Sequence, residues 1–213
     1  MIKIIKPKAA PRKLLIKQRL LAPRLEAALR NNTKFEWHTK HYSRPIKDIL
    51  NYLYHNKCGF CEQKLGRTVT DNQFTIEHYR PKSADGGYPW LGAEWTNLIP
   101  VCRGCNGRKD DDFPIFNEQN KVVAPPLDAN GHIIAALCKA TAPQLLAEAP
   151  VFLHPEIDEP DNYLSFELFS PISKQASGKA IQPPHLSPND AHRAQTMQAT
   201  FWNRPQIEEK RKA

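Results

Sequence analysis

Apolar residues in this chain come in short groups whose spacing changes from helical to strand-like and back. Leu14, Leu15, Leu20, Leu21, Leu25 and Leu29 recur among basic residues and predict one or two helices, broken near Pro23. Ile46, Ile49, Leu50 and Leu53 share one stripe within 44–57, which predicts a packing helix. Phe74-Thr75-Ile76 is β-prone and leads into Glu77-His78, with Pro81 to end the strand. A polar loop rich in Gly and Ser follows, ending at Trp95-Thr96-Asn97, and Leu98-Ile99-Pro100-Val101 reads as a second short strand. Gly104 to Asp110 begins a short helix with Asn106 in its first turn. The order is strand, loop, strand, helix.

Beyond Phe113 the pattern thins. Residues 125–131 carry turn chemistry, and Ala142 to Ala149 predict a short helix. Residues 152–161 read as an acidic surface loop, and Tyr163 to Phe169 alternate as a strand does. Ser173 to Pro184 read as flexible. Ser187-Pro188 is a helix start with Ser as cap and Pro at the first position. Ala191, Ala194, Met197 and Phe201 then form an apolar stripe up to Trp202, as a core-facing segment would. The fold class expected is α+β: a mainly helical chain around a small ββα core. The regions expected are a basic helical 1–57, a core at 58–113 and a Pro-rich 114–213 with a short strand and a helix.

Two cysteine pairs change the picture. Cys58-Gly59-Phe60-Cys61 and Cys102-Arg103-Gly104-Cys105 have the spacing of zinc knuckles, in which four thiolates complete a tetrahedron. The gap from Cys61 to Cys102 exceeds that of a usual zinc ribbon, so the insert must be a compact hairpin that brings the knuckles together. Nothing in the chain suggests an oxidising compartment, which argues against disulfides. Such a zinc is structural, with no open position, and contributes on the order of 10–16 kcal/mol to folding in comparable peptides. Cys138 reads as a spare thiol.

Charge and length narrow the function. The chain has 213 residues, a net charge of +8 and a pI near 9.3, which favours polyanions. From Met1 to Lys34 ten basic residues, Lys34 among them, face one acid, Glu26. A phosphate-binding arm, a solvated helix face and a partner-docking surface all remain open for that segment. No internal repeat or phosphate-binding loop is present, so no ATPase is expected within the chain. No apolar run would span a membrane, and the opening residues lack a signal peptide's apolar core, so the expected location is cytoplasmic. His38, His41 and His55 read as surface or structural residues.

The stretches Cys58-Gly59-Phe60-Cys61-Glu62, Ile76-Glu77-His78-Tyr79-Arg80-Pro81-Lys82 and Cys102-Arg103-Gly104-Cys105-Asn106 resemble the HNH endonucleases and their ββα-metal (His-Me finger) core. The resemblance places His78 as the first H, Asn97 as the N and Asn106 at the last position. His78 then serves as general base, and Asn97 holds its ring through the side-chain amide and fixes the tautomer. Glu77 and Asn106 offer hard oxygens to a catalytic divalent ion, Mg²⁺ or Mn²⁺. Arg80, Lys82, Arg103, Arg108 and Lys109 are the expected substrate-phosphate contacts, whereas Asp110, Asp111 and Asp112 read as a helix end and loop. Glu77 stands where many relatives have Asp, and Asn106 where many have His. Adjacent residues on a regular strand face opposite sides, so the strand must end or twist at His78 for it to share a site with Glu77.

The opening Ile2-Lys3-Ile4-Ile5-Lys6-Pro7, residues 154–158 and the segment from Thr196 to Arg204 sharpen the resemblance toward one branch, that of Septu PtuB and retron-associated HNH nucleases. That branch implies a nucleic-acid substrate, expected to be DNA with RNA open, an ABC-type, PtuA-like ATPase partner and a role in anti-phage defence. The rival reading is a non-catalytic zinc module that binds nucleic acid or scaffolds a partner. It explains the cysteines and the charge but leaves Glu77, His78, Asn97 and Asn106 as coincidence.

Overall fold

The strand–loop–strand–helix order is present in the computed structural model, which describes residues 1, 3–31, 33–35, 44–66, 74–83, 85–169 and 176–203. Strand β1 (Phe74–His78) pairs antiparallel with β2 (Leu98–Cys102), Phe74 opposite Cys102 and His78 opposite Leu98. Helix α3 (Arg103–Lys109) follows β2 without a break. All five β2 residues are buried, consistent with their continuous apolar run. The Gly59 N–H donates to the Pro100 carbonyl at 2.8 Å, which ties the first knuckle to β2. The approach is so close that a Cβ at position 59 would run into the Ile99 side chain, so only glycine fits.

Helix α1 (Arg12–Arg30) runs unbroken through Pro23, contrary to the break expected there. Proline removes one backbone hydrogen bond, but Pro23 lies on the exposed side while Leu14 before it and Leu25 after it are buried. Packing of both halves outweighs the local cost. Helix α2 (Arg44–Leu53) buries Ile46 and Leu50, whereas Ile49 is largely exposed, so its stripe is narrower than the pattern suggested. His55 and Asn56, both with positive φ, turn the chain into the first knuckle, and His55 is exposed there. His38 and His41 lie outside the described residues, as do Arg204 and the tail beyond it.

The C-terminal third contains α4 (Pro143–Leu146), β3 (Ser165–Phe169), β4 (Ala176–Ile181) and α5 (Pro188–Met197). β4 pairs antiparallel with β3 and corrects the flexible reading of that stretch. Ser177, Gly178 and Lys179 carry little strand preference of their own, and the pairing with β3 supplies it. Ser187 caps α5 by accepting the Asp190 N–H, with Pro188 in the first turn. A wide π turn (Gln198–Trp202) then carries Phe201 and Trp202 into the core. Phe201 stacks on Phe60 at 4.4 Å, and the Trp202 indole donates to the Phe60 carbonyl, so α5 closes over the first knuckle. The main core draws Ile4, Leu14, Leu50, Leu98, Phe152, Met197 and Trp202 from all parts of the chain. Cys138 is buried in a smaller cluster with Leu25, Trp90 and Leu145, and burial pushes its thiol up to about 12.

The acidic stretch 152–161 is not a free surface loop. Phe152, Leu153, His154 and Pro155 are buried, and Glu156 and Asp158 are internal partners, whereas Glu159 and Asp161 are exposed. Glu156 accepts from the Tyr54 hydroxyl at 2.6 Å and pairs with Lys6 at 2.7 Å. Asp158 pairs with Arg193 at 2.8 Å. Lys6 also donates to the Trp95 and Leu98 carbonyls and lies over the Trp95 ring. Lys3 and Lys6 therefore fasten the N-terminal segment to the core, which removes them from any phosphate-binding arm. No described helix is long and apolar enough to cross a membrane.

Arg80 is likewise interior, correcting its assignment to the substrate. Its guanidinium is fully buried, pairs with Glu148 at 2.9 Å, donates to the Leu145 carbonyl and lies near the Tyr79, Tyr88 and Phe113 rings. Breaking one side of such a pair strands a buried charge, at a cost of about 3–5 kcal/mol. Glu148→Ala is expected to lower the melting temperature by about 6–20 °C; a variant that melts with the parent in calorimetry contradicts this role. A second prediction concerns pH. His154 donates through Nε2 to the Thr96 carbonyl and accepts the Glu156 N–H at Nδ1, so both ring nitrogens are used in the neutral form. Burial, with the Lys6 charge next, pushes it from the ordinary 6.5 down to about 3. Its contribution to stability is complete above pH 6.5 and is lost as the pH falls towards 3. Urea unfolding of His154→Gln is expected to lose less stability between pH 7 and pH 4.5 than the parent does; equal losses refute it.

Candidate active site and metal centre

The β1–β2 hairpin brings the two knuckles together despite the long gap between them. All four sulfurs, of Cys58, Cys61, Cys102 and Cys105, are buried and lie within 4.8 Å of one another. Cys61 and Cys102 are 3.8 Å apart at Sγ. A tetrahedron with metal–sulfur bonds of about 2.3 Å has edges of about 3.8 Å, so the cluster already has the dimensions of a four-thiolate centre. The Cys102 N–H points at Cys58 Sγ from 3.4 Å, a bond that favours sulfur as thiolate. Hydrogen bonding from Cys105 lowers the Cys102 thiol from its ordinary value. Burial raises Cys58. The donor set fits a closed site for a metal ion, which the four sulfurs would bind as thiolates.

A second cluster lies where β1 faces α3. Thr75 and Glu77 are two apart on β1 and share one face of the strand, while Asn106 and Lys109 are three apart on α3 and share one face of the helix. The two faces meet in two rungs. The Thr75 hydroxyl donates to Asn106 Oδ1 at 2.9 Å, and Lys109 Nζ lies 3.1 Å from Glu77 Oε1. Glu77 and Lys109 are both buried. Burial raises the Glu77 carboxyl, and Lys109 beside it pulls in the opposite direction. Glu77 on β1 and Asn106 on α3 are thus hard oxygen donors on two faces that meet, and Lys109 supplies the cation that balances the carboxylate.

β1 ends at His78, and the chain bends at Tyr79-Arg80. His78 Nε2 lies 2.9 Å from the Gly92 carbonyl. A carbonyl only accepts, so Nε2 carries the proton and Nδ1 is the basic nitrogen. Burial, followed by the charge of Lys82, pushes His78 from 6.5 down to about 3, so the imidazole is neutral at physiological pH. Lys82 and Lys109 act on both His78 and Glu77, which places the two side chains in one basic environment.

Asn97 does not hold the His78 ring. Its Oδ1 accepts the Arg80 N–H at 2.8 Å, and its Nδ2 donates to the Arg80 and Leu91 carbonyls at 3.0 and 3.1 Å. The amide joins the backbone just after His78 to the backbone just before Gly92. Its link to the ring is therefore indirect, through the peptide that carries the Gly92 carbonyl. Of the other expected substrate contacts, Arg103 and Arg108 are exposed on α3 and Lys82 is partly exposed, but Lys109 is buried against Glu77 and is not a surface phosphate contact. Asp110 ends α3 with φ 44°, and Asp111 and Asp112 are exposed beyond it. Gly92 and Thr75 were not singled out by sequence: a backbone carbonyl leaves no side-chain signal, and a strand threonine is ordinary.

Residues 58–112 match the family model described as HNH endonuclease. They form an HNH endonuclease domain. The chain is 30% identical over 158 residues to Septu protein PtuB of Bacillus mycoides strain KBAB4, covering 67% of this chain and 46% of that protein. It is 33% identical over 89 residues to Septu protein PtuB of Bacillus thuringiensis, covering 41% and 32%. It is 36% identical over 75 residues to the Retron Ec83 putative HNH endonuclease of Escherichia coli, covering 33% and 27%. The chain thus spans less than half the length of these curated relatives. No solved structure matches it.

Cys58→Ser removes one of the four sulfurs from this HNH domain. It is expected to lose the bound metal and the cooperative melting transition, measured by plasma mass spectrometry and calorimetry. Normal metal content together with normal melting would sink the four-thiolate centre.

Proposed function

We propose that this HNH protein is a metal-dependent nuclease that hydrolyses phosphodiester bonds in DNA. The observation that carries the proposal is the meeting of the β1 face that bears Thr75 and Glu77 with the α3 face that bears Asn106 and Lys109, with the neutral imidazole of His78 at the end of the same strand. The Gly92 carbonyl keeps the proton on His78 Nε2, so Nδ1 takes a proton from water as the water oxygen bonds to phosphorus and the bond to the leaving oxygen breaks. Asn97 positions the peptides that hold this tautomer. Glu77 and Asn106 would hold Mg²⁺ or Mn²⁺, which supplies charge stabilisation for the phosphate and the leaving oxygen when bound. Lys109 balances Glu77 before an ion arrives. The four cysteines would hold a structural zinc, consistent with a thiolate set of tetrahedral size.

Lys82, Arg103 and Arg108 are the proposed contacts to the backbone phosphates of the substrate. The likeness to Septu PtuB chains supports a role in anti-phage defence alongside an ABC-type, PtuA-like ATPase.

The test is nicking of supercoiled plasmid with Mg²⁺ or Mn²⁺ by the parent and by His78→Ala. Cleavage is expected to need the ion and to fall by about 10²–10⁴-fold in the variant, with melting and metal content unchanged. Cleavage that survives in His78→Ala overturns the assignment of the base. Absence of cleavage of both DNA and RNA, with the ATPase partner added, favours the non-catalytic zinc module.

A further inference from the structure

A cavity of about 260 Å³ opens between the end of α4 and the start of α5. Arg80 and Tyr79 line it together with His154, Phe116, Leu146 and Asp190. Arg80 is fully buried. Its Nε donates to Glu148 Oε2 at 2.9 Å, and its Nη2 donates to the Leu145 carbonyl at 2.5 Å. The third nitrogen, Nη1, is buried as well and has no hydrogen-bond partner among the described residues. Neither Glu148 nor Leu145 lines the cavity, so the guanidinium turns its Nη1 corner that way. A buried donor left unpaired carries the full desolvation cost of the group, and Nη1 therefore requires an acceptor placed in the cavity.

The charges around the cavity decide what kind of acceptor fits. Arg80 is matched by Glu148, and Arg193 on α5 is matched by Asp158 at 2.8 Å. His154 spends both ring nitrogens on backbone groups. Asp190 accepts from the Ser187 hydroxyl at 2.6 Å and has no ion pair among the described residues. An anion such as phosphate would gain Arg80 but meet the Asp190 carboxylate, whereas a neutral carbonyl satisfies Nη1 without that repulsion. The rings of Tyr79, His154 and Phe116 offer apolar contact to a flat heterocycle. The volume lies just under the usual range of about 300–1,000 Å³ for small-molecule sites, which suits a single base.

We infer that this cavity binds a neutral nucleobase through a ring carbonyl, which accepts from Arg80 Nη1. The site is separate from the cluster of Glu77, His78 and Asn106 but shares a residue with its support. The Arg80 N–H donates to Asn97 Oδ1 at 2.8 Å, and its carbonyl accepts from Asn97 Nδ2 at 3.0 Å. The same Nδ2 donates to the carbonyl of Leu91, next to Gly92. Base binding does not require the nuclease reading to hold, so the two stand or fall separately.

The experiment titrates the ¹⁵N-labelled protein with uridine, adenosine and inorganic phosphate, followed by NMR. Uridine is expected to shift the Arg80 side-chain signals and the Ala149 and Asp190 amides, saturating with a dissociation constant of about 1 mM or below. Adenosine has no ring carbonyl and should bind at least about 10-fold more weakly. Leu146→Trp sets a large ring at the cavity and should weaken uridine about 10-fold or more. Leu137→Trp, at a similarly exposed leucine outside the cavity, should leave uridine binding unchanged, with both variants melting like the parent. Asn189→Trp blocks the cavity from the α5 side and replaces Leu146→Trp if that variant melts lower. Equal affinity for uridine and adenosine, or binding indifferent to both blocking variants, overturns the inference. So does saturation by phosphate in place of uridine, and so does silence towards both nucleosides at about 10 mM, which leaves ordered water as the partner of Nη1. Displacement of uridine by oligothymidylate assigns the base to a nucleic-acid strand, and failure to displace it assigns the site to a free nucleoside or nucleotide.

Discussion

The constraint on which the rest depends is the convergence of four sulfurs from two ends of a long hairpin. Cys58 and Cys61 follow α2, and Cys102 and Cys105 straddle the junction of β2 and α3. Joining them fixes where α3 begins relative to β1, and that placement brings Asn106 to Thr75 and Lys109 to Glu77. A two-stranded hairpin is marginal alone in water. Here it is clamped at its open end by the cysteine cluster, backed by α2 on one side and closed over by the aromatic end of α5. A metal ion among the sulfurs would thus support the candidate catalytic groups without touching them.

Charge is used inside this protein as much as on its surface. Arg80, Lys6 and Lys109 are buried, each beside a buried carboxylate: Glu148, Glu156 and Glu77. These pairs join segments distant in sequence. Arg80 connects the end of the β1 segment to α4, and Lys6 connects the N-terminal segment to the loop after Phe152. Net charge is for this reason a coarse guide to the binding surface. Of the cations near the HNH motif, Arg103, Arg108 and Lys82 remain accessible, while Arg80 and Lys109 serve the interior.

The ββα order, the cysteine cluster and the end of β1 at His78 were legible because each is local. Spacing of two between cysteines, β-prone residues next to a proline, and an Asn one turn into a helix are patterns a linear reading can find. The misread features depend on partners far along the chain. Pro23 stays helical because Leu14 and Leu25 are both held by the core, and residues 176–181 become a strand because β3 lies beside them. Arg80 looked like a phosphate contact because it follows the histidine in a basic, exposed-looking motif. Its partner Glu148 lies 68 residues on, beyond any local pattern. The role of Asn97 shifted for a related reason: its amide holds two peptides, and the ring contact belongs to the carbonyl of Gly92.

The Lys109–Glu77 contact bears on how such a site can exist before its ion arrives. A buried carboxylate with no counter-charge would raise its affinity for protons and cease to be a ligand at neutral pH. Lys109, one turn after Asn106 on α3, supplies that counter-charge from the same face that presents the amide oxygen. A lysine ammonium carries one charge on a flexible stem, and a divalent ion held by Glu77 and Asn106 would take over its role of balancing the carboxylate. Within this reading, a residue that sequence alone assigned to the substrate is the counter-charge of the buried Glu77.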